Sequence, residues 1–376
     1  MKITKVEVVK STKPIPLPGE YKAAWFEPDG KPVNSYGISF YKIHTDEGIT
    51  GYGPYGGEPD GYVLKCLIGL DPFYIEKFWS CAMMGREVFV NKPSYGGLDA
   101  ALWDIIGKAS NQPVYKLLGA NKDKVMVYAA TSRLLPPGEL VEEVQQIMAL
   151  GFKAVKLRLH RPDFKDDLKV VEAVRKACGD DLIIVVDANQ NHKAINYQWW
   201  SRKTARFVAQ ELQNLGVFFL EEPLERRDYQ GLAELSSEFD MYIAGGEHAL
   251  HIYEFKEHIE KNTYDIYQPD IILGDIGITG LKKLGIISDC YYKMLIPHVC
   301  GLGGFALNFA AALHAAASLR NCPMIEYPFD PPFLTVDTQQ FYIKDKFIVD
   351  KDGCVALPQR SGLGVDIDEE AAAKYM

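Results

Sequence analysis

Three times in the middle of this chain an apolar run breaks off in acid, and that repetition restricts the possible folds more than any other feature. Leu182-Ile183-Ile184-Val185-Val186 leads into Asp187-Ala188-Asn189-Gln190, Val217 to Leu220 leads into Glu221-Glu222-Pro223, and Met241 to Ala244 passes through two glycines into Glu247. An unbroken, mostly β-branched run has no polar face, so it suits a strand covered on both sides, as parallel strands are when helices pack on each face. Side chains alternate along a strand, so Asp187 and Asn189 point the same way just where the run stops. Parallel strands that all end in carboxylates gather those carboxylates at one edge of a sheet.

The same rhythm of strand, loop and helix extends from about Lys124 onward. Strands are expected near 125–131, 153–159, 182–187, 217–221, 241–245, 264–268, 293–297 and 323–327. Amphipathic helices fill the gaps, as at Glu139 to Leu150, Asp167 to Ala177 and Thr204 to Leu215. Eight strands with seven helices point to a closed parallel (β/α)7β TIM-like barrel over 124–328, whose reacting groups would stand at the C-terminal strand ends. No glycine-rich dinucleotide fingerprint follows the first strand, which weakens the alternative of an open doubly wound sheet. Residues 1–123 read as an α+β capping domain, completed by 329–376. Ile3, Val6 and Val8 open one strand, Tyr36 to His44 forms a second, and the turn Asp46-Glu47-Gly48 leads into a third from Ile49 to Tyr52. Thr12 to Ser35 is rich in proline and glycine yet carries Tyr21, Trp25 and Phe26, the composition of a covering lid. Gly97 to Leu118 has helical spacing and a natural stop at Gly119.

Composition removes several function classes. With 41 Lys and Arg against 50 Asp and Glu the net charge is −9, which argues against a nucleic-acid surface and obliges any anionic substrate to find local cations. Seven cysteines, an odd number without CxxC pairs, suggest reduced thiols in a cytoplasmic protein and neither a disulfide framework nor a zinc site. No apolar run approaches the roughly 18 residues of a membrane span.

The strand ends carry the chemistry. Asp187, Glu221 and Glu247 come from adjacent strands and offer hard oxygen ligands suited to Mg²⁺, with positions left for substrate oxygens. Glu222 adjoins Glu221, and alternation alone leaves open which of the two faces inward. Lys156, Arg158 and His160 share one face of the second strand, where cations would balance a carboxylate substrate. Asp270 follows the sixth strand and His298 the seventh, so the acid can orient the imidazole and raise its basicity. Glu326 ends the eighth strand, where a protonated acid would donate to an enolate oxygen.

Read together, Lys156-x-Arg158, Asp187-x-Asn189, Glu221-Glu222-Pro223, Gly246-Glu247, Gln268-Pro269-Asp270, Pro297-His298 and Glu326 resemble the mandelate racemase subgroup of the enolase superfamily. Asp46-Glu47-Gly48 with Gly51-Tyr52-Gly53, and the run from Ala101 to Lys108, resemble that family's capping domain. The resemblance implies one Mg²⁺ held by Asp187, Glu221 and Glu247, and abstraction of the proton α to a carboxylate by His298 paired with Asp270. It further implies an electrophilic Lys156, an enediolate supported by Glu326, and cap loops around Trp25 and Tyr55 that close over substrate. Asn189, His160 and His248 are further candidate substrate contacts. The family often carries a second lysine where this chain has Arg158, and a guanidinium is a poor base at neutral pH. The expected function is therefore Mg²⁺-dependent dehydration of an acid sugar to a 2-keto-3-deoxy acid. Racemisation of a 2-hydroxy acid and non-catalytic sugar-acid binding are the alternatives, and the expected assembly is a homo-oligomer, dimer to octamer, without nucleic-acid or membrane partners.

Overall fold

The computed structural model describes residues 1–26, 30–88, 95–191 and 199–376. Eight parallel strands form the central sheet: Lys124–Ala130, Ala154–Arg158, Ile183–Asp187, Phe219–Glu221, Tyr242–Gly245, Ile266–Tyr267, Met294–Leu295 and Met324–Pro328. They run in chain order, with the eighth beside the first. The amide of Glu326 donates to the carbonyl of Pro297 at 3.3 Å, across the remaining seam between seventh and eighth strands. The expected capped (β/α)7β TIM-like barrel is the fold of this chain.

Period-two alternation sorts the strand residues between two cores. Tyr128, Ala154, Val185, Phe219, Ala244, Ile266 and Met324 fill the barrel interior, whereas Val155, Leu157, Ile184, Val186, Leu220 and Ile243 join the core beneath the surrounding helices. The functional side chains continue the interior set. Lys156 and Arg158 lie two and four positions beyond Ala154, Asp187 two beyond Val185, Glu221 two beyond Phe219, and Glu326 two beyond Met324. Burial of Phe219 thereby aims Glu221 into the barrel mouth and denies it to Glu222, where the backbone turns at φ 45°.

The cap is an antiparallel sheet of Ile3–Lys10, Ser39–Thr45 and Thr50–Pro54, backed by the helix Tyr95–Ala109. That helix sits so close that a Cβ at Gly53 would fall 2.1 Å from the carbonyl of Gly97, and one at Gly96 would fall 1.8 Å from the carbonyl of Ile271. The second approach brings the cap against the loop that carries Asp270. Asp99 of the same helix accepts from Thr279 N at 2.9 Å and Thr279 Oγ1 at 2.6 Å, pinning the cap to the barrel helix Gly277–Cys290. The C-terminal segment lies against both parts. Cys354–Ala356 pairs antiparallel with the first barrel strand, while the Tyr375 carbonyl accepts from Thr12 and Lys13 in the cap.

Three readings of the cap require correction. The Thr12 to Ser35 stretch is not plain loop, because Ile15–Tyr21 pairs with Val33–Tyr36 as a hairpin, and the expected strand from Tyr36 is split around Gly37; residues 27–29 lie outside the described part. The helix expected to run to Leu118 stops at Ala109 and resumes as Val114–Leu117, since Pro113 restricts the residue before it and has no amide to donate. Cys66 and Cys81 are joined by a disulfide between the helices Gly61–Leu67 and Ile75–Val88, so the thiols are not all reduced; Cys178, Cys290, Cys300, Cys322 and Cys354 are free. No helix among the described residues is long and apolar enough to cross a membrane.

Candidate active site

Asp187, Glu221 and Glu247 each present a carboxylate oxygen to one point, these atoms lying within 4.8 Å of one another, and all three residues are buried. Asn189 fixes Asp187 by donating from its backbone amide at 2.7 Å and its side-chain amide at 2.9 Å. Lys156 Nζ lies 3.0 Å from Glu221, 2.7 Å from Glu326 and 3.9 Å from Asp187. Arg158 bonds Asp187 through Nη1 and anchors its Nε on the Thr131 carbonyl at 2.8 Å.

Burial and mutual repulsion dominate the electrostatics. Burial pushes the Glu221 carboxyl up, and neighbouring Asp187 pushes it further. Burial alone would lower Lys156, but the charges of Glu221 and Glu326 outweigh it and hold the ammonium above its ordinary value. Asp187, Glu221, Glu247 and Glu326 are four carboxylates facing the two fixed cations Lys156 and Arg158. A divalent cation corrects that imbalance. An all-oxygen donor set at this spacing fits Mg²⁺ and offers no soft ligand. Glu222 faces elsewhere, its Oε1 accepting from Asn191 at 3.2 Å.

Opposite the acids stands an imidazole with its orienting carboxylate. His298 Nδ1 is 2.8 Å from Asp270 Oδ2, while Asp270 Oδ1 accepts from the amides of Ile272 at 2.7 Å and Leu273 at 2.8 Å. Those two amides leave Oδ2 free for the imidazole. Nε2 then faces the acids, 3.3 Å from Glu247 and 3.7 Å from Glu326. Burial opposes the charged imidazole, while Glu247, Glu326 and the Asp270 hydrogen bond favour it and hold His298 well above its ordinary value; a cation held by Glu247 would offset that pull and return Nε2 toward the neutral form that accepts a proton.

Above both groups lies a cavity of about 350 Å³. Arg158, Asn189, Glu247, His248, His298 and Glu326 form its polar floor, with Trp25, Tyr21, Phe26 and Leu302 above. The Trp25 ring covers the Arg158 guanidinium at 4.8 Å, and the amide of Ala24 donates to the Ser132 carbonyl at 2.7 Å, tying the lid to the barrel. His248 Nε2 sits 3.1 Å from Glu247. Lys156, Asp187, Glu221 and Asp270 stand just behind the wall.

Two expected substrate contacts do not reach this cavity. His160 is buried beside the Ala188 carbonyl, past the end of the second strand. Tyr55 packs on Tyr41 within the cap, ring centroids 5.5 Å apart, with its hydroxyl toward Glu58. Ser132 and Cys300 line the cavity unforeseen. Ser132 follows the first strand by two residues and Cys300 follows His298 by two, so the strand-end rule applied to every strand would have flagged both.

Known proteins resemble this chain over most of its length. Residues 33–119 match the mandelate racemase / muconate lactonizing enzyme N-terminal domain, and 139–371 match the enolase C-terminal domain-like family. The chain is 31% identical to an arabinonate dehydratase of Saccharolobus solfataricus over 89% of both sequences. It is 28% identical to an L-talarate/galactarate dehydratase of Salmonella typhimurium, covering 91% of this chain and 83% of that one. Among solved structures, a racemase from Streptomyces coelicolor with bound magnesium superposes with a TM-score of 0.82 at 27% identity, over 99% of each chain.

Proposed function

The chain belongs to the mandelate racemase and muconate lactonizing enzyme family of the enolase superfamily and is an enzyme of the lyase class, and from that premise we propose that it is a Mg²⁺-dependent acid-sugar dehydratase. The observation that carries this reading is an asymmetry across the cavity. His298 offers one oriented base on one side, whereas the cation on the second strand, Arg158, is held between Asp187 and Trp25. Racemisation needs groups that gain and lose a proton on both faces of the α-carbon near neutral pH, which a guanidinium does not do. Elimination needs one.

Mg²⁺ among Asp187, Glu221 and Glu247 would supply Lewis-acid polarisation of the substrate carboxylate. His298 removes the α-proton through Nε2 while Asp270 keeps Nδ1 protonated and the ring fixed. Lys156 and Glu326 act on the negative charge that develops on the carboxylate oxygens, and Arg158 binds substrate without giving up its proton. The imidazolium then protonates a departing β-hydroxyl on the same side, giving an enol that becomes the 2-keto-3-deoxy acid. His160 and Tyr55 stay out of the cavity, and this reading assigns that protonation to His298.

The reading is tested by incubating the Mg²⁺-loaded enzyme with a library of aldonates and aldarates in D₂O. A keto acid with loss of water is expected. Recovery of the deuterated opposite epimer without keto acid would make the enzyme a racemase, and absence of any α-proton exchange would leave only a binding protein.

A further inference from the structure

Beside the base lies a group that dehydration does not use. Cys300 lines the cavity, and its Sγ stands 3.7 Å from Asp270 Oδ2. One ligand atom each from Asp270, His298 and Cys300 lies within 4.8 Å of the other two. Asp270 cannot swing away, because the amides of Ile272 and Leu273 hold its other oxygen at 2.7 and 2.8 Å.

We propose that Asp270, His298 and Cys300 form a second metal site, selective for a borderline or soft divalent cation such as Zn²⁺, whose occupation switches the enzyme off. Its oxygen, nitrogen and sulfur donors are those of a zinc centre with water as the fourth ligand, whereas the acid cluster offers oxygen alone and suits Mg²⁺. The two sites therefore sort different metals a few ångströms apart. Binding joins the cation to the Cys300 thiolate, an Asp270 oxygen and His298 Nδ1, the ring nitrogen that faces Asp270. The thiol proton goes to solvent, and the imidazole proton displaced from Nδ1 is carried on Nε2. Nε2 then has no lone pair for an α-proton, so the base is blocked although Mg²⁺ stays in place. This consequence rests on the proposed role of His298; the metal binding does not.

The test uses the full chain saturated with Mg²⁺ and titrated with Cd²⁺. Expected is one Cd²⁺ per chain with thiolate-to-cadmium absorption in the ultraviolet, absent from both Cys300→Ser and Cys300→Ala. In parallel, the Zn²⁺ concentration that halves α-proton exchange, measured against each protein's own uninhibited rate, should rise at least about tenfold in the two variants. No cadmium absorption in the unaltered chain, or the same absorption without Cys300, would overturn the site. Equal Zn²⁺ sensitivity in all three proteins would overturn the switch and place the inhibitory cation on the acid cluster. The cadmium signal needs no substrate, so it remains readable even if no acid sugar is turned over.

Discussion

His298 is the residue on which the reaction turns, because its far nitrogen is locked to Asp270 at 2.8 Å and its near nitrogen faces the cavity. His298→Asn should lower turnover by at least about 10²- to 10⁴-fold, the usual contribution of a positioned base, while fold and Mg²⁺ affinity persist. Near-normal α-proton exchange by that variant in D₂O would remove His298 from the role. The neighbouring acids Glu221 and Glu222 divide differently. Glu221 points into the acid cluster, so Glu221→Gln should weaken Mg²⁺ binding by more than the roughly 10- to 100-fold cost of losing an outer partner. Burial, and after it repulsion from Glu247, holds the Glu222 carboxyl well above its usual range, and its Oε1 accepts from Asn191 at 3.2 Å, outside the acid cluster. Glu222→Gln should leave Mg²⁺ affinity within a few-fold by calorimetry, and the reverse order of effects would exchange the two roles. The sequence could not separate these residues, since alternation specifies only that they face opposite ways. The missing information was which neighbour is core, and Phe219 in the barrel interior supplies it.

At the scale of elements, the legible parts of the chain were those whose burial is uniform. Barrel strands buried on both faces announce themselves as apolar runs, and their ends announce the acids. The lid was less legible because Ile15–Tyr21 contains Pro16 and Pro18, which read as loop, yet pairs along Val33–Tyr36 at a sheet edge that tolerates proline. A disulfide pairing depends on which helices meet in space, so spacing alone concealed Cys66 and Cys81. The hairpin's functional product is Trp25, stacked over Arg158 at 4.8 Å. A partly desolvated contact of this kind is worth roughly 1 to 2 kcal/mol. Trp25→Ala should therefore reduce kcat/KM by about five- to thirtyfold, carried mainly by KM if the ring only helps Arg158 to bind substrate. Unchanged kinetic constants would mean that the lid plays no part in recognition.

The cap, the barrel and the C-terminal segment meet through two buried titratable groups with opposite pH behaviour. His314, on the barrel helix Phe305–Ala317, accepts from the Tyr115 amide of the cap at 3.0 Å and donates to the Leu363 carbonyl of the C-terminal segment at 3.0 Å. That pair of bonds requires the neutral ring, and burial pushes His314 down to about 4. In the unfolded chain the imidazole titrates near 6.5, so its contribution is complete above that pH and is lost as pH falls toward about 4, by roughly 3 kcal/mol in all. Asp99 runs the other way. Burial pushes it up to about 7, so the native chain keeps a proton that the unfolded chain releases above about 4, and stability falls as pH rises through that interval. The two slopes overlap and partly cancel between about pH 4 and 6.5. Measured by denaturant unfolding in this window relative to the unaltered chain, His314→Asn should gain stability toward low pH, and Asp99→Asn should lose it. Curves that stay parallel to the parent across the window would show that neither group changes its proton occupancy on folding.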